Sequence, residues 1–258
     1  TKVVEAMTDA VIRNLEIAKK FYELKSRLLN VKKLQYHERN VPYGKIDKKY
    51  NFDDTISLIR KVFSKLDKEF VSLLDMFLEN NQIDVFPRTN KQGGAFCVHF
   101  LKSQPTYILL NHTGKLRDVT TFAHELGHAI NNELMKKKQH ALYFDTTLAT
   151  AEVASTFMED FVIEELLREA DDEMKLSLMM EKLNDDVSSI IRQVSCYRFE
   201  QELHSEFRKK GHLSKEDIGK LFQKHMFDYM GDFVEQSKGS ENWWVYWGHI
   251  RNFFYNYS

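Results

Sequence analysis

His124 and His128 stand four residues apart in the stretch "TTFAHELGHAIN", with Glu125 directly after the first of them. On a helix, positions i and i+4 share a face, so both imidazoles can reach one cation. The glutamate beside them can then hold a water molecule on that cation, which makes H-E-x-x-H the pattern of a zinc centre carrying its own base. With ten histidines in 258 residues, the pattern has a chance expectation of about 3%. The rest of the chain must therefore decide between a metal site and two ordinary histidines on a polar helix face.

A catalytic zinc takes three protein ligands and leaves its fourth position to water. The variant with a third histidine on the same stretch is excluded, because Asn131 and Leu134 occupy the positions that need glycine and histidine. Glu133 shares the motif's helix and cannot fold back. The downstream acids Asp145, Glu152, Glu159 and Asp160 remain. Residues 147–167, "TLATAEVASTFMEDFVIEELL", read as a helix with Glu152, Ser155, Thr156 and Glu159 along one face, and spacing does not choose between Glu152 and Glu159. Glu159, two turns beyond Glu152, can hold the far nitrogen of a zinc histidine, or stand as a solvated acid on the helix face. The other histidines (His37, His99, His112, His140, His204, His212 and His225) have no partner at ligand spacing and read as surface or internally satisfied groups.

The elements that position these residues are mostly helical. Val4, Val11, Leu15, Ala18, Tyr22 and Leu29 recur at steps of three, four and seven, predicting one long helix or two over residues 3–35. Turn residues fill 40–51, and Ile56, Ile59, Val62, Phe63, Leu66, Phe70, Leu73, Leu74 and Phe77 predict a second helical hairpin over 53–80. Residues 83–113 turn β-rich around Gly93, Gly94 and Pro105, which predicts a small antiparallel pair or a sheet edge ahead of the H-E-x-x-H helix. In that helix Val119, Phe122, Leu126, Ala129 and Ile130 form an apolar stripe, Asp118 or Thr120 can cap the start, and Lys136, Lys137 and Lys138 suit the negative end of the dipole. "GGAFC" can offer strand backbone to an extended peptide, or form a glycine bulge with Phe96 and Cys97 buried. Trp243, Trp244, Trp247, Phe253 and Phe254 read as core.

No repeat, linker or composition shift divides the chain. The expectation is one mainly α unit over 1–258, with helical hairpins in 1–82, a small β region in 83–113, and the zinc-binding helices and an aromatic terminal segment in 114–258. A net charge of −1 and a pI near 6.8 give no field to gather nucleic acid or an anionic membrane. No run of 18 apolar residues occurs, and the first twenty residues alternate charged and apolar side chains, unlike a signal peptide. Two cysteines, Cys97 and Cys196, make no disulfide framework, so a cytoplasmic setting is expected. Oligomeric state leaves no trace in the sequence.

"FAHELGHAIN" followed by "AEVASTFMED" resembles the thimet oligopeptidase and oligoendopeptidase F family of zinc peptidases, and most closely the oligoendopeptidase F branch. "IDVFPRTNKQGGAFC", "PTYILLNHTGKLRDVTTFAHELGH" and "WWVYWGHIRNFFYNYS" agree in the same order, from about residue 35 to the end. The resemblance implies a mainly helical, zincin-type catalytic domain with a substrate channel, one zinc ion, and Glu152 as third ligand beside His124 and His128. It favours Gly93, Gly94, Ala95 and Phe96 as the backbone that holds substrate. It also implies that His249 and a following tyrosine, Tyr255 before Tyr257, stabilise the oxyanion. Relatives carry a further N-terminal region and another tyrosine just after the position of Ser258, so this chain is expected to be the catalytic portion of a longer peptidase or a truncated form.

The chemistry implied is hydrolysis of short peptides by an endopeptidase. A three-ligand zinc lowers the pKa of its bound water to about 7, and Glu125 can take that water's proton and pass it to the leaving amine. Two alternatives stand beside it: a zinc- and peptide-binding fragment with little turnover, and a carboxypeptidase of the same family that releases dipeptides. The intact Glu125 favours the enzyme, since a binding module has no use for a base beside the metal. For the carboxypeptidase, no cation that would grip a terminal carboxylate identifies itself in the sequence.

Overall fold

A computed structural model describes residues 2–44 and 48–250, apart from the side chain of His249. Along the chain run α1 (Lys2–Arg13), α2 (Leu15–Leu28), β1 (Leu34–Gln35), α3 (Phe52–Leu66), α4 (Lys68–Glu79), β2 (Ile83–Asp84), β3 (Phe96–Val98) and β4 (Tyr107–Leu109). Then come α5 (Leu116–Lys138), α6 (Leu148–Glu169), α7 (Asp172–Asp186), α8 (Gln193–Lys210), α9 (Lys215–Met230) and β5 (Val234–Glu235). The chain is mainly α, as its periodicity predicts. No described helix is long and apolar enough to cross a membrane.

Local chemistry sets the breaks. The 3–35 pattern divides into two helices at Asn14, and α1 buries none of its residues although α2 buries Ala18, Phe21 and Tyr22. The 53–80 pattern divides at Asp67, whose extended backbone and side chain cap α4 through the Glu69 amide. Asn51 caps α3, Thr147 caps α6 and Ser214 caps α9, each accepting from an amide three residues on. α8 ends at Gly211, whose φ of 73° is a left-handed conformation that suits glycine.

The described residues of Thr1–Lys45 and Lys175–Tyr257 form one compact unit, and those of Ile46–Met174 form another. The sequence reads as a single unit because no composition change accompanies this division. In the first, Phe21 and Tyr22 of α2 share a core with Phe199 of α8 and Phe222, Met226 and Tyr229 of α9, and the short parallel pair β1–β5 closes it. Trp247 is buried there and Trp244 packs against it, as expected of core residues, but Trp243 is 40% exposed and lies over Tyr36 and Arg39.

The second unit holds the H-E-x-x-H helix. Its strands run in the order β2–β4–β3, with β3 antiparallel and β2 parallel to β4. The antiparallel pair is the one predicted; the parallel strand is an addition. α3 and α4 contribute Ile59, Val62, Phe63, Leu74 and Phe77 to the core, β4 contributes Ile108, and α6 contributes Val162 and Leu166. The α5 stripe of Val119, Phe122, Leu126, Ala129 and Ile130 is fully buried among them, which fixes the rotation of that helix about its axis.

Candidate metal centre

α5 starts where Asp118 accepts the amides of Lys115 and Thr113, so Asp118 acts from inside the first turn with Lys115 at the cap position. Thr120 bonds to the Arg117 carbonyl instead and takes no part in capping. The helix runs through Lys138, with three lysines in its last turn. α6 crosses against it at Gly127, where an added Cβ would lie 2.6 Å from both the Ala154 carbonyl oxygen and the Ser155 Cα. No side chain fits there. The close approach brings Glu152 of α6 in front of the two imidazoles of α5.

Glu152 Oε2 lies 3.4 Å from His124 Nε2 and 3.9 Å from His128 Nε2, and one ligand atom from each residue falls within 4.8 Å of the others. Ligands at zinc bond lengths on a tetrahedron stand about 3.3–3.6 Å apart, so the donor set and its spacing fit that ion with small adjustments. Among the described residues this is the one cluster of its kind. His124 Nδ1, on the far side of the ring, meets Glu159 Oε2 at 3.1 Å. Such a carboxylate fixes the ring's orientation and tautomer and raises the basicity of the other nitrogen. Ser155 Oγ donates to Glu152 Oε2 at 3.0 Å and steadies the third ligand.

With the protein groups alone, the electrostatics favour a cation. Burial pulls the His124 pKa down, but hydrogen bonds to Glu152 and Glu159 overcome it and raise it to about 10. Burial lowers that of His128, and the charge on His124 lowers it further. The Glu152 carboxyl is held below its ordinary range by His124, against the effect of burial. A divalent ion would replace the imidazolium proton that these two carboxylates hold. Glu125 is only 7% exposed. Burial raises its pKa to about 7, opposed by His124 and more weakly by the Cys97 backbone. A base poised near neutral pH suits proton transfer.

The candidate residues sort clearly. His124, Glu125, His128, Glu152 and Glu159 are brought together. Asp145 sits 4.0 Å from His99 with its side chain 85% exposed, Asp160 is exposed and outside the cluster, and Glu133 is engaged by Lys136 and Thr106. Thr156 shares the α6 face but bonds to the Glu152 carbonyl. His112 is buried with Nε2 on Thr55, and His225 is buried with Nε2 on Glu202 and Nδ1 without a hydrogen-bond partner among the described residues. Gly93, Gly94 and Ala95 lead into β3, where Phe96 and Cys97 are half-buried, and among the described residues β3 pairs with β4 alone, leaving its other edge without a strand. Tyr255 and Tyr257 lie outside the described residues, as do Phe253 and Phe254 and the side chain of His249. The close approach at Gly127 was not anticipated, although a glycine inside a helix, where it costs about 1 kcal/mol, is a readable sign of one.

Comparison with known proteins bears on the whole chain. The model described as Peptidase family M3 matches residues 1–258. The oligoendopeptidase F homolog of Lactococcus lactis subsp. lactis is 26% identical over 257 residues, covering 99% of this chain and 42% of the relative. Oligopeptidase PepF of Bacillus subtilis is 25% identical over 260 residues, covering 99% and 38%. A crystal structure from Chlamydophila abortus, provisionally described as a peptidase, superposes with a TM-score of 0.82 at 27% identity over 99% of this chain and 43% of that one. This chain therefore spans less than half the length of the relatives it matches. With a family match from its first residue to its last, around a helix pair that gathers two histidines and a glutamate, the chain belongs to peptidase family M3.

Proposed function

We propose that this chain carries the catalytic centre of a zinc-dependent endopeptidase that hydrolyses short peptides. The observation that carries the reading is the convergence of His124, His128 and Glu152 with Glu125 buried beside them. Zinc held by the three ligands would supply a Lewis acid and an activated water. Glu125 accepts the proton of the attacking water and delivers it to the leaving amine, and Glu159 holds the His124 ring in place. The free edge of β3, with Gly93, Gly94, Ala95 and Phe96, binds the substrate backbone as an added strand. His249 with Tyr255 or Tyr257 donates to the oxyanion. The names of the relatives support short peptides as the substrate class. Two free thiols, Cys97 and Cys196, accord with a cytoplasmic setting.

The test separates ligand from base. The chain should bind one zinc and cut members of a mixture of short peptides, with the cuts mapped by mass spectrometry. Glu125→Gln should keep the zinc while cleavage falls by about 10²-fold or more, and His128→Ala should lose the metal. Failure of the chain to take up zinc on titration, or near-normal turnover in Glu125→Gln, would overturn the reading.

A further inference from the structure

α5 carries a second polar feature on the stripe that bears His124 and His128. At the helical repeat, Arg117 and Thr121 fall within about 60° of His124 around the axis, and Arg117 lies about 10 Å before it along the axis. Arg117, Thr121 and Asp118 line a cavity of about 260 Å³ together with Gly94, Ala95 and Asn111. Arg117 is exposed, and among the described residues no hydrogen bond or ion pair engages its guanidinium. The cavity's carboxylate makes no ion pair with it: Asp118 Oδ2 accepts from the Thr113 amide at 2.7 Å, the Thr113 hydroxyl at 3.0 Å and the Lys115 amide at 2.9 Å. The opposite wall is fixed. Asn111 Nδ2 donates to the Gln92 and Gly94 carbonyls at 2.9 and 2.8 Å, and Gly94 has a φ of +80°, a conformation that suits glycine.

This geometry leads away from the cleavage point. The backbone of Cys97, on β3, lies beside Glu125, so the reacting bond belongs near it. A peptide added antiparallel to the free edge of β3 runs its carboxyl-terminal half past Ala95 and Gly94, towards Arg117. Three extended residues span about 10 Å, the same distance that separates His124 from Arg117 along α5. Resting on the peptidase reading above, we propose that this cavity is a carboxylate subsite, in which Arg117 grips a carboxylate carried about three residues beyond the cleaved bond on the leaving-amine side. The planar fork of a guanidinium suits a carboxylate bidentately. The group can come from the peptide's own C-terminus or from an aspartate or glutamate side chain.

The experiment measures binding, so it does not depend on turnover. Zinc-loaded chain bearing Glu125→Gln is titrated into fluorescein-labelled heptapeptides of one neutral sequence, read by anisotropy. One peptide ends in a free carboxylate, one in an amide, and a set of amides carries a single glutamate at successive positions. At least one carboxylate form should bind about tenfold tighter than the neutral amide, the value of about 1.4 kcal/mol. The preference should shrink with added salt, vanish in Arg117→Ala and survive in part in Arg117→Lys. Preference for the free terminus identifies a C-terminal carboxylate as the source; preference for one glutamate position identifies a side chain. Equal binding of acid and amide, a preference that persists in Arg117→Ala, or no binding of any peptide overturns the subsite. Cleavage of the amide-ended peptide by the chain with Glu125 intact reports the peptidase reading separately, because it requires no carboxylate at Arg117.

Discussion

Glu159 stands where a single side chain would govern a metal that it does not touch. Its carboxylate meets His124 Nδ1 while His124 Nε2 faces Glu152, so the ring is held from both sides. Removing the far contact frees the ring to rotate and lowers the basicity of its ligand nitrogen, and such losses typically cost 10- to 100-fold in metal affinity. Glu159→Gln, which retains a hydrogen-bond acceptor without the charge, is expected to weaken zinc binding by about tenfold, and Glu159→Ala by more. Competition with a chromophoric chelator measures both, with circular dichroism to check that α6 persists. Unchanged affinity in the alanine variant would reduce Glu159 to an acid on a helix face. At this scale the sequence was unevenly legible. His124, Glu125 and His128 share one helix, so local geometry alone predicts their convergence. Glu152 and Glu159 lie on one face of another helix, and which of them reaches Nε2 depends on how the two helices cross.

That crossing is decided at the scale of the elements, and by one residue. At Gly127 the backbone of α6 occupies the space that a Cβ would need. Gly127→Ala gains about 1 kcal/mol in helix propensity but forces α5 and α6 apart, an overpacking that costs about 1–3 kcal/mol. The net stability change is therefore small or unfavourable. The functional effect is larger, because Glu152 sits on the helix that must retreat. Zinc affinity is expected to fall more than about tenfold while helix content stays constant, since displaced ligands lose geometry that their supporting contacts maintain. A variant that gained stability and bound zinc as before would show that the helices have slack at this point. The helices themselves were readable because their apolar period is local: Phe122, Leu126, Ala129 and Ile130 mark the buried side of α5 without reference to any other segment. The pairing of Ile83 with Ile108, and of Leu34 with Val234, was not, because two-residue parallel strands joined across long stretches leave no periodic signature.

At the scale of the molecule, every residue of the candidate metal set belongs to the unit built from Ile46–Met174. The two units have separate cores, and no shift in composition announces them, which is why the sequence reads as one body. Ligand binding to the folded form stabilises it by about 2.7 kcal/mol at 100 times Kd, and that energy enters where the ligands are. Free zinc at this level should slow amide exchange about 100-fold in the stretches of α5 and α6 that open by global unfolding of their unit, by the same linkage. The helices α2, α8 and α9, which hold Phe21, Phe199 and Phe222 in the other core, should change far less. Hydrogen exchange followed by mass spectrometry, with zinc and with excess chelator, gives both numbers in one experiment. Equal protection of all five helices on adding zinc would mean that the two units unfold as one, and protection confined to α2, α8 and α9 would place the metal away from His124, His128 and Glu152.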